Sequence, residues 1–356
     1  MALDSTPRDY SLTGGNSVSG FELTDWYTTP ISRKELKALM KRSDRPALIN
    51  YGIWIGCTLA LGALLIATWG TWWAVPVTFV YGIFYGSGAD SRWHETGHGT
   101  VFKTRWLNDF FYQLTAFMSM RNPYVWRWSH TRHHTETVVV GRDPEIAFPR
   151  PPSIWQWALN LLYIPSILNE LRKMVRIATG RLTEAERSFV PEIDRLPAYT
   201  ASRIQLAVLL GILGLSVLLE SWLPIMLVGL PTFYGSWLHH ILATTQHAGM
   251  AEDIPDHRMN SRTIYLNPFF RFIYSNMNYH VEHHMFPNVP FFALPALHEA
   301  IKDDCPPAYP SLWAAYKEMV PAVLKQQRDF NHYIQRPLPE DANPSPDYKR
   351  PQIAAE

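Results

Sequence analysis

The chain has 356 residues, with 32 Lys and Arg against 31 Asp and Glu, for a formal net charge of +1. With no basic excess and no recognition fingerprint, nucleic-acid binding is excluded as the reading. The two cysteines, Cys57 and Cys305, lie far apart without metal-ligand spacing, so no disulfide is expected.

The N-terminus is polar and lacks the short apolar core of a signal peptide. Residues 1–30 are rich in Ser, Thr and Gly and read as a loosely ordered arm. Ser32–Arg42 predicts a helix, with Ser32 and Glu35 as a capping box and an apolar stripe of Leu36, Leu39 and Met40. Five Lys and Arg residues surround that stripe, as in a helix lying on a membrane surface. We take 1–45 as this arm and interfacial helix, 46–334 as one membrane-embedded catalytic domain, and 335–356 as a disordered Pro-rich tail.

From Pro46 to Ser91 there is no Lys or Arg, and Asp90 is the only acid. That stretch holds two spans, Ala47–Thr68 and Trp72–Ala89, joined by a tight turn at Trp69–Thr71. A second block without Lys or Arg, Ile204–His257, divides near Glu220–Pro224 into Ile204–Leu219 and Ile225–Thr245. The expected fold is therefore all-α and integral to the membrane: two transmembrane helical hairpins, four spans, under a helical cap. Basic residues flank both hairpins and are absent from their turns, which places both termini and the cap on the cytoplasmic side. The 14 tryptophans suit the interfaces. Between the hairpins, Phe110–Met120 is apolar but too short to span, and Ile154–Ala178 reads as one surface helix. Thr183 and Glu186 form another capping box, and Asn267–Tyr274 leads into the last histidine cluster.

Histidine carries the chemistry. His280, His283 and His284 stand at i, i+3 and i+4, so three imidazoles share one helix face. His130, His133 and His134 repeat that spacing, and His94 and His98 form a shorter i, i+4 pair. Neutral imidazole is the commonest metal ligand among side chains. Eight exceed what one tetrahedral ion uses, so the pattern predicts a two-metal site. His247, ending the fourth span, is a ninth candidate, and His240 lies two turns before it. His239, His257, His298 and His332 read as structural or exposed. Asp90, one turn before His94, and the turn carboxylates Asp143 and Glu145 are candidates to orient a ligating ring, and Asn278 heads the third cluster. His94–His98 also fits the zinc-protease pattern His-Glu-x-x-His, with Glu95 as base, but that reading leaves the other clusters unused. A non-catalytic metal-binding membrane protein is a further alternative.

Boxes of His-x-x-x-His, His-x-x-His-His and His-x-x-His-His between two apolar hairpins resemble the membrane fatty acid desaturase family. Asn278–Pro287, reading Asn-Tyr-His-Val-Glu-His-His-Met-Phe-Pro, is similar to the third box of its acyl-lipid branch. The resemblance covers roughly Ala47 to Pro290. It implies two iron ions held by His94, His98, His130, His133, His134, His247, His280, His283 and His284, with O2 as co-substrate and a double bond in an acyl chain as product. A hydroxylase on the same scaffold is the alternative outcome. Without a glycine-rich dinucleotide fingerprint or a fused haem domain, the chain needs a separate ferredoxin, rubredoxin or cytochrome as electron donor. Lys and Arg on the cap would form its docking surface. Thr135–Val140 departs from the more polar wording common among relatives. An acyl substrate also calls for a long apolar tunnel, and Phe79, Phe84, Tyr85, Phe233, Tyr234, Trp237 and Leu238 are its expected walls.

Overall fold

The structure is a computed structural model that describes residues 8–12 and 26–345. Most of the expected N-terminal arm, and residues 346–356 of the expected tail, lie outside the described residues. The elements are α1 (Arg33–Leu39), α2 (Asp44–Thr68), α3 (Ala74–Gly82), α4 (Gly88–Gly97), α5 (Arg105–Met118) and α6 (Pro123–Thr135). They continue with α7 (Ile154–Asn160), α8 (Ile164–Ala178), α9 (Glu184–Phe189), α10 (Glu192–Leu218), α11 (Leu223–Leu227) and α12 (Pro231–Gly235). The last six are α13 (Trp237–His247), α14 (His257–Asn260), α15 (Pro268–Ile273), α16 (His280–Met285), α17 (Leu294–Ile301) and α18 (Leu312–Lys325). Among the described residues the only β contacts are two isolated bridges, Thr263 with Tyr279 and Ile264 with Tyr309.

The first hairpin follows its sequence pattern. α2 ends at Thr68, and Gly70 turns the chain at φ +83°, a conformation glycine adopts without strain. α3 runs through a π turn, Ile83–Ser87, directly into α4, so one rod carries the chain from Ala74 to Gly97. The π turn lies where Gly82 and Gly86 meet α12 backbone to backbone. A Cβ on Gly235 would sit 1.9 Å from the carbonyl oxygen of Gly82, and one on Gly86 would sit 2.8 Å from the amide nitrogen of Ser236. Gly82 and Gly86 are four apart, the small-x-x-x-small spacing that lets helix backbones touch. Ser87 Oγ donates to the Gly235 carbonyl at 2.6 Å and accepts from the His239 amide at 2.9 Å, fixing the crossing.

The second hairpin is less regular. α10 contains the third expected span, but the fourth is not one helix. It breaks at Val228–Leu230, where Gly229 has φ +103°, and again at Ser236, leaving α11, α12 and α13. Pro231 has no amide hydrogen to continue α11, which accounts for the first break. The expected single helix over Ile154–Ala178 is likewise two, divided at Tyr163 in the left-handed region (φ 55°). The capping box at Thr183 and Glu186 forms as expected. At α1 the Ser32 side chain accepts from the Glu35 amide.

Two stretches, Arg33–Thr68 and Glu192–Leu218, contain windows long and apolar enough to cross a membrane, and only 22% and 17% of those windows are buried. Exposed apolar surface of this extent marks a contact with lipid or a partner. Both cysteines are free thiols. Part of the expected tail packs back onto the body: Asn343 donates its amide to Asp304 at 2.8 Å and Ser345 Oγ donates to Asp256 at 2.7 Å.

Candidate metal centre

Four elements converge on one place. α4 brings His94 and, at its C-cap, His98; α6 brings His130, His133 and His134; α13 ends on His247; α16 brings His280, His283 and His284. α6 is started by Asn122, whose side chain accepts from the amides of Tyr124 (3.1 Å) and Val125 (3.0 Å). The same side chain donates to Ala198 and Ser202 of α10, tying this helix to the second hairpin. α4 is seated on α2 by the fully buried Arg92, which donates to Asn50 at 2.8 Å and stacks over Trp54 at 4.8 Å.

The nine expected histidines fall into two groups. His94, His98, His130, His134 and His283 present ring nitrogens all within 4.8 Å of one another, and His133, His247 and His284 do the same. His280 joins the second group: its Nε2 lies 3.0 Å from Nε2 of His247 and 3.0 Å from Nε2 of His284. In the first group Nε2 of His94 and His283 are 2.7 Å apart, and Nε2 of His130 is 3.1 Å from that of both His98 and His134.

The opposite ring atoms decide what these approaches mean. His247 Nδ1 lies 2.8 Å from the Asn260 carbonyl oxygen, which can only accept. His284 Nδ1 lies 3.1 Å from Thr137 Oγ1, whose own hydrogen goes to the His133 carbonyl at 2.7 Å. His130 Nδ1 faces Glu145 at 3.0 Å, and His133 Nδ1 faces Asp143 at 2.8 Å. Each of these rings carries its proton on Nδ1 and turns a bare Nε2 inward. Lone pairs about 3 Å apart repel one another unless a cation lies between them; two imidazoles bound to one metal at about 2.1 Å are separated by roughly that distance. The residues present therefore fit a metal in each group.

Electrostatics agree for most of the rings; at His133 burial is outweighed by the Asp143 carboxylate, which raises that ring. Burial, and then the neighbouring imidazoles, hold His94, His98, His134, His280, His283 and His284 well below the usual histidine range, so they are neutral rings rather than cations.

The other candidates divide. Asp143 and Glu145 face the His133 and His130 rings, at 2.8 and 3.0 Å. Asp90 does not hold His94: its Oδ2 accepts from Tyr163 OH at 2.9 Å and Arg121 Nη2 at 3.1 Å. His240 is in neither group, with Nε2 3.2 Å from the Trp157 carbonyl. Asn278 also stands apart, donating to the Ile264 carbonyl at 2.8 Å across the bridge beside α16. Thr137 and Asn260 escaped the sequence reading, because a hydroxyl and a backbone carbonyl leave no mark in histidine spacing. Glu95 is fully buried, with Oε1 3.9 Å from His283 Nδ1, and burial raises it well above the usual carboxylate range. It is the nearest carboxylate to that ring.

A cavity of about 430 Å³ reaches the centre, touching His94, His130, His133, His247 and His280. None of the seven expected tunnel residues lines it. Phe79 stacks on Trp237 at the outer surface, Phe84 meets Phe269, and Tyr85 packs on Tyr81. Phe233 packs with Met120 and Tyr163, Tyr234 covers Gly82 and donates to the Met226 carbonyl, and Leu238 packs with Leu242 and Ile273. These side chains hold the hairpins together.

Comparison with known proteins matches this arrangement. The family model for fatty acid desaturases covers residues 70–316. The sn-1 linoleoyl-lipid 6-desaturase of Synechocystis sp. is 23% identical over 290 residues, spanning 70% of this chain and 79% of that protein. The sn-1 acyl-lipid omega-3 desaturase (ferredoxin) of the same organism is 25% identical over 253 residues, 65% of this chain and 66% of its own. The Delta(12)-acyl-lipid-desaturase of Punica granatum is 30% identical over 105 residues, 29% of this chain and 25% of that protein. The family match takes in both histidine groups and most of the chain that frames them, and the chain belongs to the fatty acid desaturase family.

Proposed function

We propose that the chain is a multi-pass membrane desaturase that uses O2 to place a double bond in an acyl-lipid chain, with iron in both histidine groups. The observation that carries this reading is the inward convergence of Nε2 atoms in two adjacent groups, with Nδ1 engaged elsewhere in His130, His133, His247 and His284. Imidazole suits several metals, and the family supports iron. Bound iron supplies the O2-dependent oxidising power needed to take hydrogen from an unactivated C–H bond. The protein's own residues fix the ring tautomers and bury the centre. A hydroxylase would use the same site. The zinc-protease reading fails because His94 and His98 share their group with three further histidines, more than a tetrahedral zinc accepts. Cells with and without the protein should differ in lipids two hydrogens lighter, and the purified protein should carry two irons per chain. One zinc and no iron after iron-replete growth would sink the proposal.

Electrons come from a separate carrier. The name of the omega-3 relative, which includes ferredoxin, supports a carrier of that kind, and the basic cap would receive it.

We further propose four spans with both termini cytoplasmic. α2 and α10 supply two spans; the rod from α3 and the broken run α11–α13 supply the others. Trp72 and Trp73, 90% and 72% exposed at the first hairpin's tip, suit the far interface. Reporters fused at residues 1 and 356 should both give cytoplasmic signals, and an external signal at either end rules the topology out.

A further inference from the structure

The end of the N-terminal arm is fastened to the body close to the second histidine group. Tyr27 donates its amide to the Pro255 carbonyl at 2.9 Å and its hydroxyl to Asp304 at 2.5 Å, and the Arg258 guanidinium lies 3.5 Å from the centre of its ring. Thr29 Oγ1 donates to the same Asp304 carboxylate at 2.6 Å. These contacts set the neighbouring Trp26 in place. Its indole N–H donates to the Thr135 carbonyl at 3.0 Å, at the end of α6. Its ring stacks flat on His257, with 4.5 Å between centres and 8° between planes.

Trp26 is half-buried, whereas His257 is 3% exposed. His257 also meets the His284 ring at 5.2 Å. Asn260, at the other end of α14, holds His247 Nδ1 through its carbonyl. Trp26, His257 and His284 thus make a chain of ring contacts from the surface to a member of the second group. Electron tunnelling weakens steeply with distance and runs better through packed atoms than across a gap. A donor at the surface therefore reaches a buried metal best where few, closely spaced rings connect them. A second aromatic run, Trp126 to Trp93 to His130, leads to the first group, but its steps are longer, 5.6 and 6.0 Å. Trp126 is also engaged by Glu170 and Lys173.

We propose that electrons enter at Trp26: reduced ferredoxin docks over it, and each electron passes by way of His257 to a metal held by the second group. The inference rests on the separate ferredoxin-type carrier proposed above. Each transfer oxidises one ferredoxin and reduces one ferric ion to the ferrous state. Two transfers reduce both ions, and Trp26 and His257 end unchanged. Arg132 and Arg142 share the one carboxylate of Glu136, at 2.7 and 3.1 Å, next to Thr135. Two guanidiniums on one carboxylate leave a positive charge beside Trp26, which favours an acidic carrier.

The test mixes the iron-loaded full chain in detergent, without O2, with a reduced acidic plant-type ferredoxin, whose reoxidation is followed by its visible absorbance. Below saturation Trp26→Leu should be reduced about tenfold more slowly, the scale of losing a central aromatic anchor. Slowing should persist at saturating ferredoxin, which a loss of docking alone would not give. Trp26→Phe, which keeps a ring but not the N–H, and Trp126→Leu should stay close to the wild type. Iron content and reduction by dithionite, which needs no docking, should be the same in all four proteins. In the wild type, hydrogen exchange at 26–30 and 256–260 should slow when oxidised ferredoxin is added. An unchanged rate in Trp26→Leu, an equal slowing with dithionite, a larger slowing in Trp126→Leu, or no protection at 26–30 overturns this route and leaves the desaturase reading standing. If dithionite reduces the wild type and ferredoxin does not, the carrier reading falls and the route with it.

Discussion

His283→Ala protein should keep its helices and lose its chemistry. His283 Nε2 faces His94 at 2.7 Å in the centre of the first group, and its ring is buried. Alanine removes one nitrogen of five and leaves four bare lone pairs still facing one another. Loss of a residue that merely orients a ligand weakens metal binding 10–100-fold, so loss of the ligand itself should cost more, on the order of a thousandfold in activity. His133→Ala should do the same to the second group. Glu95→Gln, which replaces the buried carboxyl 3.9 Å from His283 Nδ1 without removing the ring, should fall between these and the wild type. Iron analysis with circular dichroism separates metal loss from unfolding. Full activity in either alanine variant would falsify the ligand assignment.

Gly235→Ala should be among the most damaging single changes outside the histidines. Its Cβ would meet the oxygen, carbon and Cα of Gly82 at 1.9, 2.2 and 2.6 Å. All three are backbone atoms, so no rotamer change relieves the clash; α12 must withdraw from the rod formed by α3 and α4. That withdrawal would also break the Ser87 bonds to α12 and α13. We expect a loss of about 4 kcal/mol or more, at the upper end of what single substitutions do, together with impaired iron loading. Gly211→Ala on α10, where nothing lies within 4 Å of the new Cβ, is the matched control and should be neutral or slightly stabilising. Thermal inactivation in detergent measures both. Equal half-lives for the two variants would refute the tight crossing.

Much of the metal centre was legible because ligation imposes local order. His280, His283 and His284 share a face wherever that helix goes, and the pattern needs no knowledge of the fold. Asp143 and Glu145 were legible only as one of two readings, since a turn nine residues after His134 can equally cap itself, and Asp143 does both: it accepts from the Val138 and Glu145 amides and faces the His133 ring. Asp90 misled because helical spacing to His94 gives distance along the rod and not direction; its carboxylate turns to Arg121 and Tyr163, from another part of the chain. The tunnel residues were chosen on the same ground, and they stand in the packing between helices and not on this cavity. Phe79 and Trp237 are apolar and lie ahead of a ligand in sequence, but such residues serve equally to cement a hairpin. The broken fourth span was marked by Gly229 and Pro231, whose effect on the backbone outweighs the apolar composition around them.

α16 supplies a ligand to each group, and it lies late in the chain. The first group joins residues 189 apart in sequence, His94 and His283. Synthesis must therefore pass residue 284 before either site is complete, and both hairpins must already be in place for α4, α6 and α13 to await it. A metal held by a complete group would therefore enter only after this helix has been made and has docked. Six residues of helix act as the latch that makes the two sites mature together.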